Sequence, residues 1–211
     1  MSTFNDLDMT CEQCGEEFRG TVWTGVHVGV DPELKELLLG GELNMVMCPK
    51  CSHVAYHEHF LIYQEPTDEL IAYVYPENQE EQRDELTQMM KKGFLEAQDV
   101  FPPDQRVSYE PIILFGLEAL VEILHEEIDF IEQSDVAEAI CKEKDIGYAK
   151  IRPSESRQRR VPRILPRTGT AKRPDRVSVI AGLKQLIAEN SLLSAYVECL
   201  KMIEADPAWS L

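Results

Sequence analysis

The sequence predicts an α+β fold, and three observations support this prediction. Up to residue 76, short segments rich in β-branched and aromatic residues are typical of strands. Beyond residue 76, apolar residues recur every three or four positions, which is the period of a helix. Two closely spaced cysteine pairs, Cys11 with Cys14 and Cys48 with Cys51, lie among the strand-like segments. We therefore expect a small antiparallel β unit with an inserted short helix, followed by several α-helices.

The predicted β unit occupies residues 1–76. In residues 17–30, β-branched and aromatic residues are in partial alternation, which predicts one or two strands, and "LNMVM" is expected to be extended. Between them, "DPELKELLLGG" predicts the inserted helix, with Asp31 as its N-cap and the Gly-Gly pair as its end. "VAYHEHFLIY" and "ELIAYVYP" predict two further strands, because "QEPTD" between them is typical of a turn.

Residues 77–150 are predicted to be a helical continuation of the same domain. "ENQEEQRDELTQMMKK" has acidic residues in its early turns and lysines before Gly93, an order that the helix dipole favours. "VSYEPIILF" predicts a short strand. "GLEALVEILHEEIDFIEQ" predicts a long amphipathic helix, which "DVAEAICKEKDI" either continues or follows with a partner helix.

The remaining chain is predicted to contain a linker and a final helix. Residues 151–177 are basic and rich in proline but poor in apolar residues, which predicts a flexible linker. Residues 178–211 are predicted to be one amphipathic helix and a tail. The apolar stripe of this helix consists of Ile180, Leu183, Ile187, Tyr196, Leu200 and Ile203.

The charge distribution limits the classes of partner. The net charge is −17, and residues 1–150 contain 32 acidic but only 10 basic residues. An acidic surface repels phosphate backbones, so this part of the chain is a poor nucleic-acid binder. We see no export signal and no apolar run of about 20 residues, which predicts a cytoplasmic protein outside the membrane. In a reducing cytosol, the six cysteines are expected to be free thiols or metal ligands.

The two C-x-x-C pairs predict a zinc site with a structural role. A two-residue spacing lets both sulfurs of a pair face one point, and two pairs supply the four thiolates that Zn²⁺ prefers. The metal ligands are therefore expected to be Cys11, Cys14, Cys48 and Cys51, with one Zn²⁺ per chain in a zinc-ribbon-like unit. An iron–sulfur cluster is the alternative for the same four cysteines. A redox dithiol is less favoured, because neither pair has a βαβ context.

Other metal-binding or reactive side chains have simpler explanations. His53, His57 and His59 alternate along a predicted strand, where solvated or partly buried histidines are the favoured interpretation. Their spacing also differs from the helical H-E-x-x-H motif of metalloproteases. Cys141 and Cys199 lie on predicted helices without neighbouring cysteines and are expected to be core residues. No catalytic residue is predicted.

Residues 1 to about 132 resemble the CpXC family, bacterial proteins named for two Cys-Pro-x-Cys motifs and presumed to bind zinc. The resemblance rests on "CEQCGEEFRGTVW", "DPELKELLLGGELNMVMCPKCSH", "LIAYVYPE" and "FGLEAL". It implies a zinc-ribbon-like core followed by helices. Two positions depart from the family pattern: Glu12 replaces the proline of the first motif, and Ser52 stands where glycine is usual. Neither departure removes a thiolate.

Three functions follow from these patterns. The favoured one is a non-catalytic, zinc-binding interaction or regulatory module, with a protein partner or a second copy bound through its helices. The alternative is nucleic-acid binding by the basic segment, in which Arg157, Arg159, Arg160, Arg163, Arg167, Lys172, Arg173 and Arg176 would contact phosphates. The least favoured is an enzyme, either a metal-dependent hydrolase using the histidine strand or a thiol redox protein.

Overall fold

The computed structural model describes residues 1–169 and 175–211 and confirms the α+β class. The chain divides into two compact units, which we call unit 1 (residues 1–124) and unit 2 (residues 125–211). Unit 1 has 24 acidic and 7 basic residues, whereas unit 2 has 14 of each, so unit 1 accounts for the whole net charge of −17. Within the described residues, no helix is both long and apolar enough to cross a membrane.

Unit 1 contains a mixed β-sheet and a separate hairpin. Its strands are β1 (Thr3–Thr10), β2 (Glu17–His27), β3 (Met45–Met47), β4 (Val54–Tyr56), β5 (Leu61–Glu65), β6 (Leu70–Tyr75) and β7 (Ile112–Phe115). In the part of the chain that the structure describes, β1, β2, β5, β6 and β7 form one sheet in that order, and β3 and β4 form a two-stranded antiparallel sheet. The pairs β1–β2 and β5–β6 are antiparallel, but β2–β5 and β6–β7 are parallel.

This topology differs from the prediction in two respects. The sheet is mixed and not purely antiparallel, because two crossover connections return the chain to the sheet in the same direction. The predicted boundary at residue 76 also falls inside unit 1, since β7 pairs with β6 and extends the sheet. In addition, β1 was not predicted, because its polar residues, including Asp6 and Asp8, hide the strand pattern.

The helices that begin in unit 1 are α1 (Glu33–Leu39), α2 (Arg83–Asp99) and α3 (Leu117–Glu143). α1 is the predicted inserted helix, but the Asp31 side chain does not cap it. That carboxylate accepts the backbone amide of Ser2 at 3.1 Å instead. α2 continues through Gly93, where the sequence predicted its end, because helix-forming residues follow the glycine.

The core of unit 1 joins α1, the sheet and the first turns of α3. The buried residues are Val26, Leu34, Leu38, Leu43, Leu61, Tyr63, Leu70, Ala72, Val74, Leu120 and Leu124. One charged group is buried beside them: the Glu65 carboxylate lies 2.6 Å from the Lys35 ammonium and accepts the Tyr63 hydroxyl at 2.7 Å. Glu65 is thereby paired, as a buried charge must be.

Unit 2 is built around the C-terminal half of α3. Its other elements are β8 (Tyr148–Lys150), α4 (Pro153–Arg159), β9 (Ile164–Pro166), α5 (Arg176–Glu189) and α6 (Ser194–Ala205). β8 and β9 form an antiparallel pair. The fully buried Tyr196 of α6 donates its hydroxyl to the Ile164 carbonyl at 2.9 Å, which ties α6 to β9. Cys141 and Cys199 lie in this core, as predicted.

The predicted flexible linker, residues 151–177, is wrong for most of its described length, because it contains α4 and β9. Four of its apolar residues, Ile151, Val161, Ile164 and Leu165, are buried, and all of these except Ile164 belong to the core cluster of unit 2. Two of its positive charges, Arg157 and Arg163, bind the buried carboxylate of Glu127. Composition therefore underestimated how much of the segment is held by a few apolar and ionic contacts. Lys172 and Arg173 lie outside the described residues.

The predicted single helix over 178–205 is two helices, because α5 ends at Glu189 and α6 begins at Ser194. Asn190 follows α5 in an extended conformation, and its side chain accepts the Leu192 amide at 3.0 Å. This turn is an alternative to helical hydrogen bonds that asparagine readily offers. Apolar residues recur every three or four positions on both sides of the turn, so the sequence pattern did not reveal the break.

Candidate metal centre

The first cysteine pair lies in the loop of the β1–β2 hairpin, whose last paired residues are Thr10 and Glu17. We call residues 11–16 the first cysteine turn. The Cys11 amide donates to the Glu16 carbonyl at 2.8 Å, and the Gly15 amide donates to the Cys11 carbonyl at 2.8 Å. Gly15 has φ +70°, a left-handed conformation that glycine adopts at little cost.

The second cysteine pair lies in the loop of the β3–β4 hairpin, between Met47 and Val54. Residues 48–53, which we call the second cysteine turn, have the same hydrogen bonds as the first. The Cys48 amide donates to the His53 carbonyl at 2.8 Å, and the Ser52 amide donates to the Cys48 carbonyl at 2.9 Å. Ser52 occupies the position of Gly15 and is also left-handed, with φ +58°.

The two cysteine turns bring four sulfur atoms together. All four Sγ atoms lie within 4.8 Å of one another, and none is in a disulfide. The Sγ atoms of Cys11 and Cys51 are 3.6 Å apart, and those of Cys14 and Cys48 are 3.7 Å apart. A tetrahedral ion with metal–sulfur bonds of about 2.3 Å requires sulfur separations of about 3.8 Å. These four cysteines can therefore hold a metal ion.

The electrostatics of the cluster also favour a cation. Burial opposes ionisation of Cys48, but the backbone amides of Cys51 and Lys50 point at its sulfur and lower its pKa to about 7. The His53 amide favours the Cys51 thiolate, yet burial and the other three cysteines raise the pKa of Cys51 to about 12. Four thiolates so close together repel one another, and a divalent ion removes this repulsion.

Two contacts outside the cluster position one hairpin against the other. The Asn44 side chain pairs with the backbone of Trp23 in β2, accepting its amide at 2.7 Å and donating to its carbonyl at 3.1 Å. Nearby, β3 approaches β2 so closely that a Cβ on Gly20 would lie 2.7 Å from the Val46 side chain. The sequence analysis missed the roles of Asn44 and Gly20, although a glycine inside a strand often marks a close backbone approach.

The histidines of the predicted strand lie in different positions from those expected. β4 ends at Tyr56, so His53, His57 and His59 do not share one strand as predicted. The rings of His57 and His59 are 6.3 Å apart. Among the described residues, the four cysteines are the only group of three or more His, Cys, Asp or Glu side chains placed to hold one ion.

The arginines proposed for nucleic-acid binding have contacts within unit 2. Arg157 and Arg163 are each 17% exposed and pair with Glu127. Arg159 lies 3.1 Å from the Glu155 carboxylate and donates to the Ser210 carbonyl at 2.7 Å. Arg160 is the left-handed C-cap residue that follows α4. Arg176 donates to the carbonyls of Ile203 and Glu204 near the end of α6. The Arg167 backbone amide donates to the Gly147 carbonyl at 2.7 Å.

Replacing Ser52 with glycine is expected to stabilise unit 1 by about 0.5–1 kcal/mol, because a serine at positive φ is strained. The thermal midpoint of the metal-loaded protein should rise by about 2–6 °C. Gly15→Ala is the matched control at the equivalent position. No atom lies within 4 Å of the added methyl group there, so its expected destabilisation comes from the backbone alone. A lower midpoint for Ser52→Gly would contradict this account of the second turn.

Comparisons with known proteins give one match. The search of curated proteins found no match, and the search of solved structures found none either. A family model described as CpXC protein matches residues 9–140, a span that contains both cysteine turns and more than half of the chain. The chain therefore belongs to the CpXC protein family.

Proposed function

We propose that this protein is a non-catalytic interaction or regulatory module of the bacterial cytoplasm, in which one structural zinc ion joins two β-hairpins. The observation that supports the proposal is the arrangement of the four cysteine sulfurs, two from each hairpin loop, within 4.8 Å of one another and with two separations across the hairpins of 3.6 and 3.7 Å. Four thiolates fill the coordination sphere of Zn²⁺, whereas catalytic zinc keeps a position open for water or substrate. An ion held in this way stabilises a fold.

The two alternatives have less support. Nucleic-acid binding was attributed to arginines of a flexible segment, but Arg157 and Arg163 are mostly buried against Glu127. A metal-dependent hydrolase would need an open metal position, and His53, His57 and His59 do not form a group that could hold one ion among the described residues. Binding of a protein partner is therefore the function that we favour over these two alternatives.

Metal analysis of the purified protein tests this proposal. We expect one zinc per chain, and we expect Cys11, Cys14, Cys48 and Cys51 to resist a thiol reagent until a chelator is added. Cys141→Ala is the control, because Cys141 lies in the core of unit 2 and should leave the zinc content unchanged. Bound iron together with visible absorption would indicate an iron–sulfur cluster in place of zinc and would contradict the proposal. Cysteines that bind no metal and react with the thiol reagent would also refute it.

A further inference from the structure

The β3–β4 hairpin exposes four apolar side chains on one face. Met45 lies opposite Tyr56 and Met47 lies opposite Val54, and alternation along each strand places all four on the same side. Their exposed fractions are 45%, 44%, 61% and 47%, respectively. We call this surface the outer face. The opposite face of the hairpin, with Val46 and Ala55, is directed towards β2.

A hairpin with one solvated face normally has polar residues there. The outer face has none at these four positions, so it exposes a contiguous apolar patch next to the second cysteine turn. Such patches mark interaction sites more often than single exposed apolar residues do. Methionine is also common on surfaces that adapt to a binding partner, because its side chain is flexible and polarisable.

A cavity of about 350 Å³ lies behind the outer face, because Val46 and Ala55 of the opposite face line it together with Tyr56. The cavity lies between the two hairpins, and its walls include Phe18 and the acidic residues Asp8 and Glu12. Burial raises the pKa of Tyr56 to about 12, and the charges of Glu118 and of Glu58, two residues further along the chain, add to this effect. Aromatic rings together with carboxylates bind lysine and arginine side chains.

The charge of unit 1 indicates which partner fits. All of the net charge of −17 belongs to this unit, so two copies of the outer face would repel each other. A positively charged partner would instead be attracted. We propose that the outer face binds a basic amphipathic segment of another protein. Apolar side chains of the segment would cover Met47 and Val54, and its lysines or arginines would face Tyr56 and the exposed carboxylate of Glu58.

This inference rests on the proposed function and adds the chemistry of the partner. Its probe is a labelled amphipathic peptide of leucine and lysine, about four helical turns long, and the control peptide has glutamate in place of every lysine. Fluorescence anisotropy with the full, metal-loaded chain should show binding of the basic peptide alone. The affinity should fall as salt rises from about 50 to 500 mM, because the charges are screened.

Two variants distinguish binding at the outer face from attraction by the overall negative charge of unit 1. Met47→Gln combined with Val54→Thr should weaken peptide binding by about tenfold or more. Met89→Gln is the matched control, because Met89 is 60% exposed on α2 and lies outside the surface. It should bind the peptide as the wild type does. Equal binding by the double variant would overturn the proposal, since the acidic charge alone would then explain the binding.

Analytical sedimentation of the wild type measures its oligomeric state and so tests whether a second copy occupies the outer face. A monomer supports a foreign partner, whereas a dimer that the double variant abolishes would identify a second copy as the occupant and overturn the proposal. Metal content and circular dichroism of each sample distinguish the two failures. A folded chain that lacks metal refutes the proposed function, whereas a folded, metal-loaded chain that ignores the basic peptide refutes only this inference.

Discussion

Cys48→Ser is expected to leave unit 1 unfolded, because it removes one of the four thiolates that would bind the ion. A structural zinc contributes on the order of 10 kcal/mol to folding, and whole domains are stable by only about 5–15 kcal/mol. Cys48 is also 2% exposed, so the serine hydroxyl would be buried in the same place. Loss of the ion should therefore separate the two hairpins and destabilise the sheet beside them.

Far-UV circular dichroism and hydrogen exchange measure this effect. Amides of β2 and β5 should lose their protection in Cys48→Ser, and a strong chelator should produce the same loss in the wild type. Cys141→Ala is the control for removal of a buried cysteine outside the cluster. A Cys48→Ser protein with the spectrum and thermal midpoint of the wild type would show that metal does not hold unit 1 together.

Glu127→Ala is expected to destabilise unit 2 by about 3–5 kcal/mol. Glu127 is 6% exposed and lies between two guanidinium groups, accepting Arg157 Nε at 2.8 Å and an Nη atom of Arg163. Without the carboxylate, two partly buried positive charges would lose the anion that they share. Glu127→Gln should cost less, because the amide oxygen still accepts one hydrogen bond although the charge is lost.

Hydrogen exchange resolved by segment tests this prediction within the full chain. Protection of α5 and α6 should fall in the order wild type, Glu127→Gln, Glu127→Ala. Glu126→Ala is the matched control, because Glu126 is the preceding residue of α3 and is exposed. The prediction fails if Glu127→Ala and Glu126→Ala have the same effect. A fall in protection at β2 or β5 alone would also contradict a role for Glu127 in unit 2.

The candidate metal centre was predictable because its signal is local. Two-residue spacing identifies each cysteine pair, and a glycine after Cys14 already indicates the left-handed turn that the structure contains. The long helix α3 was predictable for the same reason, since its apolar period is visible within a single stretch of sequence.

Features that depend on distant partners were not predictable. The parallel pairing of β6 with β7 joins residues about 40 positions apart, and nothing in either strand specifies its neighbour. The residues of β1 are mostly polar, but β1 is a strand because β2 pairs with it along the full length of β1. The described part of 151–177 is held in part by a carboxylate, Glu127, that lies well before the segment in the sequence.

The origin of the four sulfurs in two separate loops has a further consequence. Cys14 and Cys48 are 34 positions apart, so an unfolded chain does not gather the thiolates that the folded chain presents. An ion that binds only the folded form adds about 1.4 kcal/mol of stability for every tenfold rise of its free concentration above the dissociation constant. Persistence of unit 1 in a cell would then follow the supply of the bound metal ion, whereas reduction of disulfides would not affect it, because none of the four cysteines is in a disulfide.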